Sequence, residues 1–170
     1  GYLWIGTPIG LFRYNGLSSR HFISDGSANG LPDNSIKQIE FFDKKIICLT
    51  LGGSFIHDCN TERDTNLFLS GGPSIPAFLA NNMTDACSDG HGGIILLSRS
   101  GFLHVDSLLS KKYEYINKDS LQPMGISSSF GRFVFPMPDG QFIIGGNHGL
   151  SAYDPLKKST TPLSPGMYPD

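Results

Sequence analysis

Charged residues are scarce in this sequence. Asp, Glu, Lys and Arg make up 16% of the 170 residues, against about 25% in an average globular chain. The formal net charge is only −2, so no basic field exists to collect phosphates and nucleic acid is not an expected partner. Long apolar runs are missing as well. Stretches such as Gly93 to Leu97 fall far short of the roughly 20 residues that a bilayer-spanning helix needs, so any membrane attachment is expected only through a parent protein. Cysteine is rare. Cys48, Cys59 and Cys87 form no Cys-x-x-Cys pair, which leaves a metal or redox motif unsupported. They read as small core residues, with one disulfide left open. The five histidines, His21, His57, His91, His104 and His148, are scattered without the spacing of metal ligands. There is no nucleophile elbow, zinc-ligand helix or phosphate loop. No catalytic residue, metal or cofactor is therefore expected. A signal peptide is also missing, and the chain opens at Gly1-Tyr2 inside a repeat, so it reads as a piece of a longer protein.

What is present is glycine, 21 residues of it, and a hydrophobic share of 39% with 11% aromatics. That composition argues against disorder and for an all-β chain rich in turns. The organising unit is Leu3-Trp4-Ile5-Gly6-Thr7-Pro8-Ile9-Gly10-Leu11-Phe12-Arg13-Tyr14-Asn15, two short strands around a tight turn. Gly10 aligns with Gly53, Gly101 and Gly149, at separations of 43, 48 and 48 residues. Six residues before each glycine stand Trp4, Ile47, Ile95 and Ile143, all large and apolar. Three before stand Thr7, Thr50, Ser98 and Gly146; five after stand Asn15, Asp58, Asp106 and Asp154. Asn and Asp close strands by accepting hydrogen bonds from the backbone that follows them. A period of about 40–50 residues with several strands per unit is the signature of a β-propeller.

The expected fold is therefore all-β, about three and a half blades of four-stranded antiparallel sheets, a segment of a larger ring. The partial propeller spans residues 1–155, in units of about 1–23, 35–70, 83–117 and 130–155, and the Pro/Ser/Thr-rich residues 156–170 read as a linker or an edge strand. The central hairpins are expected at Leu3 to Thr7 with Leu11 to Tyr14, Ile46 to Leu51 with Ser54 to Asp58, Ile94 to Ser98 with Phe102 to Val105, and Phe142 to Gly145 with Leu150 to Tyr153. Outer strands are expected at Ser19 to Ile23, Asn66 to Ser70 and Tyr113 to Asn117. Asp43, Asp89 and Asp139 mark the turns before the later hairpins. Trp4, Ile5, Ile47, Ile95, Ile143 and Ile144 are expected in the core between blades.

Leu3-Trp4-Ile5-Gly6-Thr7 with Gly10-Leu11-Phe12-Arg13-Tyr14 resembles the two-component regulator propeller repeat, and Asn29-Gly30-Leu31-Pro32-Asp33-Asn34-Ser35-Ile36 resembles the loop and inner strand that begin such a blade. The other units are degenerate: Trp4 is replaced by Ile, and Arg13 by Ile56, His104 or Ala152. Gly145 to Pro155 resembles the family's final blade, which precedes an immunoglobulin-like domain, a membrane span and a histidine kinase. The resemblance implies a periplasmic or extracytoplasmic sensor region of a hybrid two-component histidine kinase, as in polysaccharide-degrading gut bacteria, with an oligosaccharide as ligand. The remaining blades, or a second copy of the chain, would complete the ring. The alternatives are a fragment of a propeller-fold polysaccharide lyase or glycosidase, and a protein-binding scaffold. A glycosidase needs two carboxylates about 5–10 Å apart, and no such pair stands out in the loops. The Asp-box of sialidases and the Trp-Asp dipeptide of scaffold propellers are both missing.

In a propeller, the turns of the central hairpins and the connections between blades emerge on one face. Asn34, Asn82, Arg99, Asn147 and His148 lie in those segments. They are the expected ligand-binding residues, because planar polar side chains suit sugar hydroxyls.

Overall fold

The computed structural model describes residues 1–42, 44–66, 83–98, 101–107, 112–117, 131–146 and 149–163. They form two compact units, Gly1–Met83 and Thr84–Asp170, each holding two antiparallel sheets. No helix occurs among the described residues.

In the first unit, β1 (Leu3–Thr7), β2 (Gly10–Tyr14) and β3 (Ser19–Phe22) make a three-stranded sheet in the order β1-β2-β3. β4 (Ile36–Phe42), β5 (Lys45–Thr50), β6 (Ser54–Asp58) and β7 (Arg63–Asn66) make a four-stranded sheet in sequence order. In the second unit, β8 (Met83–Ser88), β9 (Ile94–Ser98), β10 (Gly101–Ser107) and β11 (Lys112–Asn117) form one sheet. β12 (Phe133–Pro136), β13 (Phe142–Gly146), β14 (Gly149–Asp154) and β15 (Ser159–Leu163) form the other. This is the blade repeat of the β-propeller class: four consecutive meanders, each with the same pair of central strands.

The repeat columns have mechanical roles. Gly10, Gly53, Gly101 and Gly149 take φ of 135°, 144°, 150° and 127°, a region that side chains avoid. The hydroxyl column closes the same turns. Thr7, Thr50 and Ser98 each donate through the side chain to the carbonyl of the glycine three residues on, at 2.8, 2.8 and 2.9 Å. Thr7 and Thr50 also accept from Ile9 and Gly52 N–H. The fourth unit has Gly146 in this column and still pairs it with Gly149. Asn15, Asp58 and Asp154 cap the next turn, each side-chain oxygen accepting two backbone N–H groups at 2.8–3.1 Å. Asp89 and Asp139 likewise accept within their turns; Asp43 lies outside the described residues.

Each unit has its own core. Leu11 and Phe22 of the first sheet meet Ile46, Cys48 and Phe55 of the second, with Trp4, Ile36 and Ile39 at the margin. Ile95, Leu97 and Phe102 of the third sheet meet Val134, Phe142, Ile144 and Tyr153 of the fourth. Ile47 and Ile95 are 1% and 0% exposed. Burial lifts the Tyr153 phenol to about 12 and the Cys48 thiol likewise to about 12. All three cysteines are free thiols.

Several expectations are corrected. Ile5 is 42% exposed: Trp4 takes the packed side of β1, so strand alternation turns Ile5 to the other side. Trp4 and Ile143 are only partly buried. The outer strand expected at Asn66 to Ser70 starts three residues earlier, at Arg63. Asp58 caps Asn60 and Thr61, and Glu62 at φ 53° closes the loop, so Arg63 pairs at once with Asp58. The polar run Arg63-Asp64-Thr65 hid this strand behind the apolar residues that follow. Residues 131 and 132 precede β12 without joining it. Ser159–Leu163 pairs with β14 and is the outer strand of the fourth sheet.

Candidate functional site

The connection from β3 to β4 carries most of the polar loop chemistry described in the first unit. It is a built structure. Ser27 N–H donates to Asp25 Oδ1 at 2.9 Å, Gly30 N–H to the Ser27 carbonyl at 3.2 Å, and Ser35 N–H to Asp33 Oδ1 at 2.7 Å. The bonds from Ser27, side chain first and backbone next, hold the Asp25 carboxyl below its usual range. Asn66 reaches across from β7 and donates to the Gly30 carbonyl at 3.2 Å. Gly30 has no room for a side chain, since a Cβ there would lie 2.4 Å from Ser27 Oγ and 2.7 Å from Asp25 Oδ1. The connection also lies against the β5–β6 turn: a Cβ on Gly52 would be 2.9 Å from the Pro32 carbonyl oxygen. Turn and connection thus share one side of the unit.

Beside the connection an open cleft of ≈ 320 Å³ is lined by Arg20, Asp25, Asn29 and Asp64 together with Phe22 and Phe55, the two phenylalanines being almost wholly buried. The Arg20 guanidinium carbon lies 4.5 Å from the centre of the Phe22 ring, which fixes one wall. Asp64 Oδ1 accepts from His57 Nδ1 at 2.7 Å. His57 is fully buried among Trp4 and Phe22, at ring-centre distances of 5.0 and 5.4 Å. Its Nε2 has no hydrogen-bond partner among the described residues and lies 3.9 Å from Glu62 Oε1. Glu62 in turn binds Arg13 at 2.5 Å and Arg20 at 3.2 Å. The Arg13 bond, ahead of the surrounding charges, keeps the Glu62 carboxyl below its ordinary range.

This arrangement suits binding more than proton transfer. A glycosidase acid needs a carboxyl with a raised pKa. Asp25 is shifted the other way by Ser27, and Asp64 is engaged by His57. No cluster of three or more His, Cys, Asp or Glu fit to hold a metal occurs among the described residues.

Of the residues expected to bind ligand, Asn34 is described, and it is half-buried. Its Oδ1 accepts the Ser24 N–H at 2.7 Å, so it braces the connection from behind. Asn82, Arg99, Asn147 and His148 lie outside the described residues. Asp25 and Asn29 lie in a segment that the sequence places on the expected ligand-binding face, but it does not single them out. Arg20 was read as a residue of an outer strand, and Asp64 fell in the stretch between two expected strands.

No protein-family model matches the chain, and none of the curated proteins matches it. Solved structures do. The chain superimposes with a TM-score of 0.77 on a crystal structure described as the extracellular domain of a hybrid two-component system, BT3049, from B. thetaiotaomicron. The identity is 19%, covering 96% of this chain and 23% of that one. A second, of the extracellular domain of the hybrid two-component system BT4673 from the same organism, gives 0.72 at 19% identity over 99% of this chain and 20% of the other. An ancestral GH74 enzyme gives 0.59 at 14% identity over 89% and 21%. The chain spans about a fifth to a quarter of the length of these structures. Its fold is the all-β, blade-repeat fold that these extracellular sensor domains share.

Proposed function

We propose that this chain is a ligand-sensing propeller segment in the extracytoplasmic part of a hybrid two-component sensor histidine kinase, and that the ligand is a carbohydrate or a breakdown product of one. The observation that carries the reading is the cleft under the β3–β4 connection. An arginine, an amide and two carboxylates line it, the kind of donor and acceptor set that takes up hydroxyl groups. The fold shared with extracellular domains of two-component systems supports the location and the signalling role. The fold shared with a GH74 enzyme does not argue for catalysis here, because fold and function separate and the cleft carboxylates are already engaged. Asn82, Arg99, Asn147 and His148 would extend the same face in the later units, and Asn34 would support it indirectly.

Titration calorimetry of the parent's intact extracellular region against a panel of oligosaccharides tests this. We expect one of the panel to bind, and Asn29→Ala or Arg20→Ala to weaken it at least tenfold. Binding unchanged in Asn29→Ala, Arg20→Ala, Arg99→Ala and His148→Ala would overturn the assignment of this face.

A further inference from the structure

His57 of β6 sits where the first two sheets meet, with Trp4 of β1 and Phe22 of β3 against its ring. It is fully buried, so its hydrogen bonds have to come from neighbouring groups. Nδ1 donates to Asp64 Oδ1 at 2.7 Å. In a neutral ring that leaves Nε2 with a bare lone pair. Nε2 has no hydrogen-bond partner among the described residues, and the polar atom before it, at 3.9 Å, is Glu62 Oε1, another acceptor. Two acceptors facing each other away from water are an unfavourable pair. A second proton, on Nε2, turns the same geometry into a charged donor aimed at a carboxylate.

Every element packed around the ring weighs on that proton. Asp64 on β7 and Glu62 in the β6–β7 turn favour it. Arg13 on β2 and Arg20 on β3, both bridged to Glu62, oppose it, as does burial itself. Trp4 on β1 and Ile46, opposite His57 on β5, carry no charge. Cys59, which follows β6 and packs on the same core, is a thiol that burial keeps neutral. Imidazole is the side chain that exchanges a proton between about pH 5 and 8. Each state gains something here: the charged ring finds two carboxylates, and the neutral ring escapes two guanidiniums and the cost of burying charge.

We propose that His57 is a proton-operated latch between the first two sheets. With a proton taken from solvent onto Nε2, the ring bridges Asp64 and Glu62, and through Glu62 it is joined to Arg13 and Arg20 of the first sheet. Without that proton it keeps Asp64 and lets go of Glu62. The Glu62 side chain is 44% exposed, on a turn residue at φ 53°, and has room to turn toward water. Arg20 and Asp64 both line the cleft, so the latch ties the cleft's arginine and one of its carboxylates to pH. That last step rests on the reading of the cleft as a binding site; the latch itself does not.

The test is NMR of the unliganded chain with 15N-labelled histidine, followed from about pH 5 to 8, for the wild type, Glu62→Gln and Asp64→Asn. Both substitutions fall on partly exposed side chains, and far-UV circular dichroism verifies folding. We expect both His57 ring nitrogens to carry protons at the acid end, Nε2 alone to lose its proton as pH rises, and each variant to lose it at lower pH than the wild type. Thermal melts supply a second reading. The Tm gap between wild type and Glu62→Gln should shrink by about 2–4 °C from the acid to the alkaline end, leaving a constant remainder from the Arg13 and Arg20 bridges, because a contact made by the charged ring is lost as pH rises. An Nε2 that never changes its protonation in this range, a transition unmoved in Glu62→Gln, or a Tm gap level with pH would overturn the proposal. No ligand enters these measurements, so a failure to bind oligosaccharide would count against the cleft and not against the latch.

Discussion

Ile95 and Ile143 occupy the same column of the repeat but not the same environment, and that difference yields a quantitative expectation. Ile95 is 0% exposed and packs in the core of Leu97, Phe102, Val134, Phe142 and Ile144; Ile143 lies on the open side of the fourth sheet and is partly buried. Truncating a fully buried Ile to Ala costs about 2–5 kcal/mol, the lost transfer energy plus that of the cavity left behind. Removing the same atoms at Ile143 forfeits only part of the transfer term and opens no closed cavity, so about 1 kcal/mol is expected. For a chain of this length each kcal/mol moves Tm by about 2–4 °C, so Ile95→Ala should melt roughly 10 °C below the wild type and Ile143→Ala only a few degrees below. Urea denaturation followed by far-UV circular dichroism gives both free energies. Equal costs at the two sites, or a cost under about 1 kcal/mol at Ile95, would refute the burial argument.

Two further predictions concern the turns. Thr50→Val keeps shape but removes the hydroxyl that donates to the Gly53 carbonyl and accepts from Gly52 N–H; a loss of about 1 kcal/mol is expected in the same denaturation assay, the Thr50 N–H bond to Gly53 remaining. For Asp89, burial raises the carboxyl's pKa, but bonds from His104, His91 N–H and Gly93 N–H outweigh it and leave the pKa below the usual value. A depressed folded pKa contributes stability that is present above the ordinary Asp value and is lost as pH falls through the folded one. The stability gap between wild type and Asp89→Asn should therefore stay level from neutral pH down to about pH 4 and narrow below it; a gap independent of pH there would show that the carboxylate is not the stabilising form.

How much of this was legible in the sequence depended on what each column does. Positions that set backbone geometry were the easiest to read, because the chemistry demands particular residues: a glycine where φ is near 140°, a hydroxyl that can reach back to its carbonyl, an Asn or Asp that caps. The register of all four central hairpins followed from those. Burial was harder. Alternation assigns Trp4 and Ile5 to opposite sides of β1 but does not say which side has a neighbour, and both were placed in the core. The outer strand at Arg63–Asn66 was missed because its residues are polar and its pairing is set by a turn in which Glu62 adopts φ 53°, a conformation that Glu does not advertise. The cleft was hardest to foresee. Arg20 and Asp64 are far apart in sequence and meet only because two outer strands converge on the same connection.

The variable columns carry what the constant ones cannot. Arg13 and His104 occupy the same place in the first and third repeats, as do Arg20 and Glu114 one strand further out. Glu62 and Lys158 occupy matching left-handed turn positions, at φ 53° and 52°. In the first unit the sheet contributes Arg and the neighbouring turn Glu; in the second the sheet contributes Glu and the turn Lys. The same contact has been built twice with its charges reversed. Each bridge is exposed enough to add little stability by itself, since Glu62 is 44% and Lys158 63% exposed. Their effect lies in discrimination: the first sheet set against the last turn would bring Arg20 to Lys158, and the third sheet set against the turn at Glu62 would bring two glutamates together. Blades that are nearly identical in backbone and core thus differ where they touch at the rim, and like-charge repulsion there favours the order in which the chain presents them.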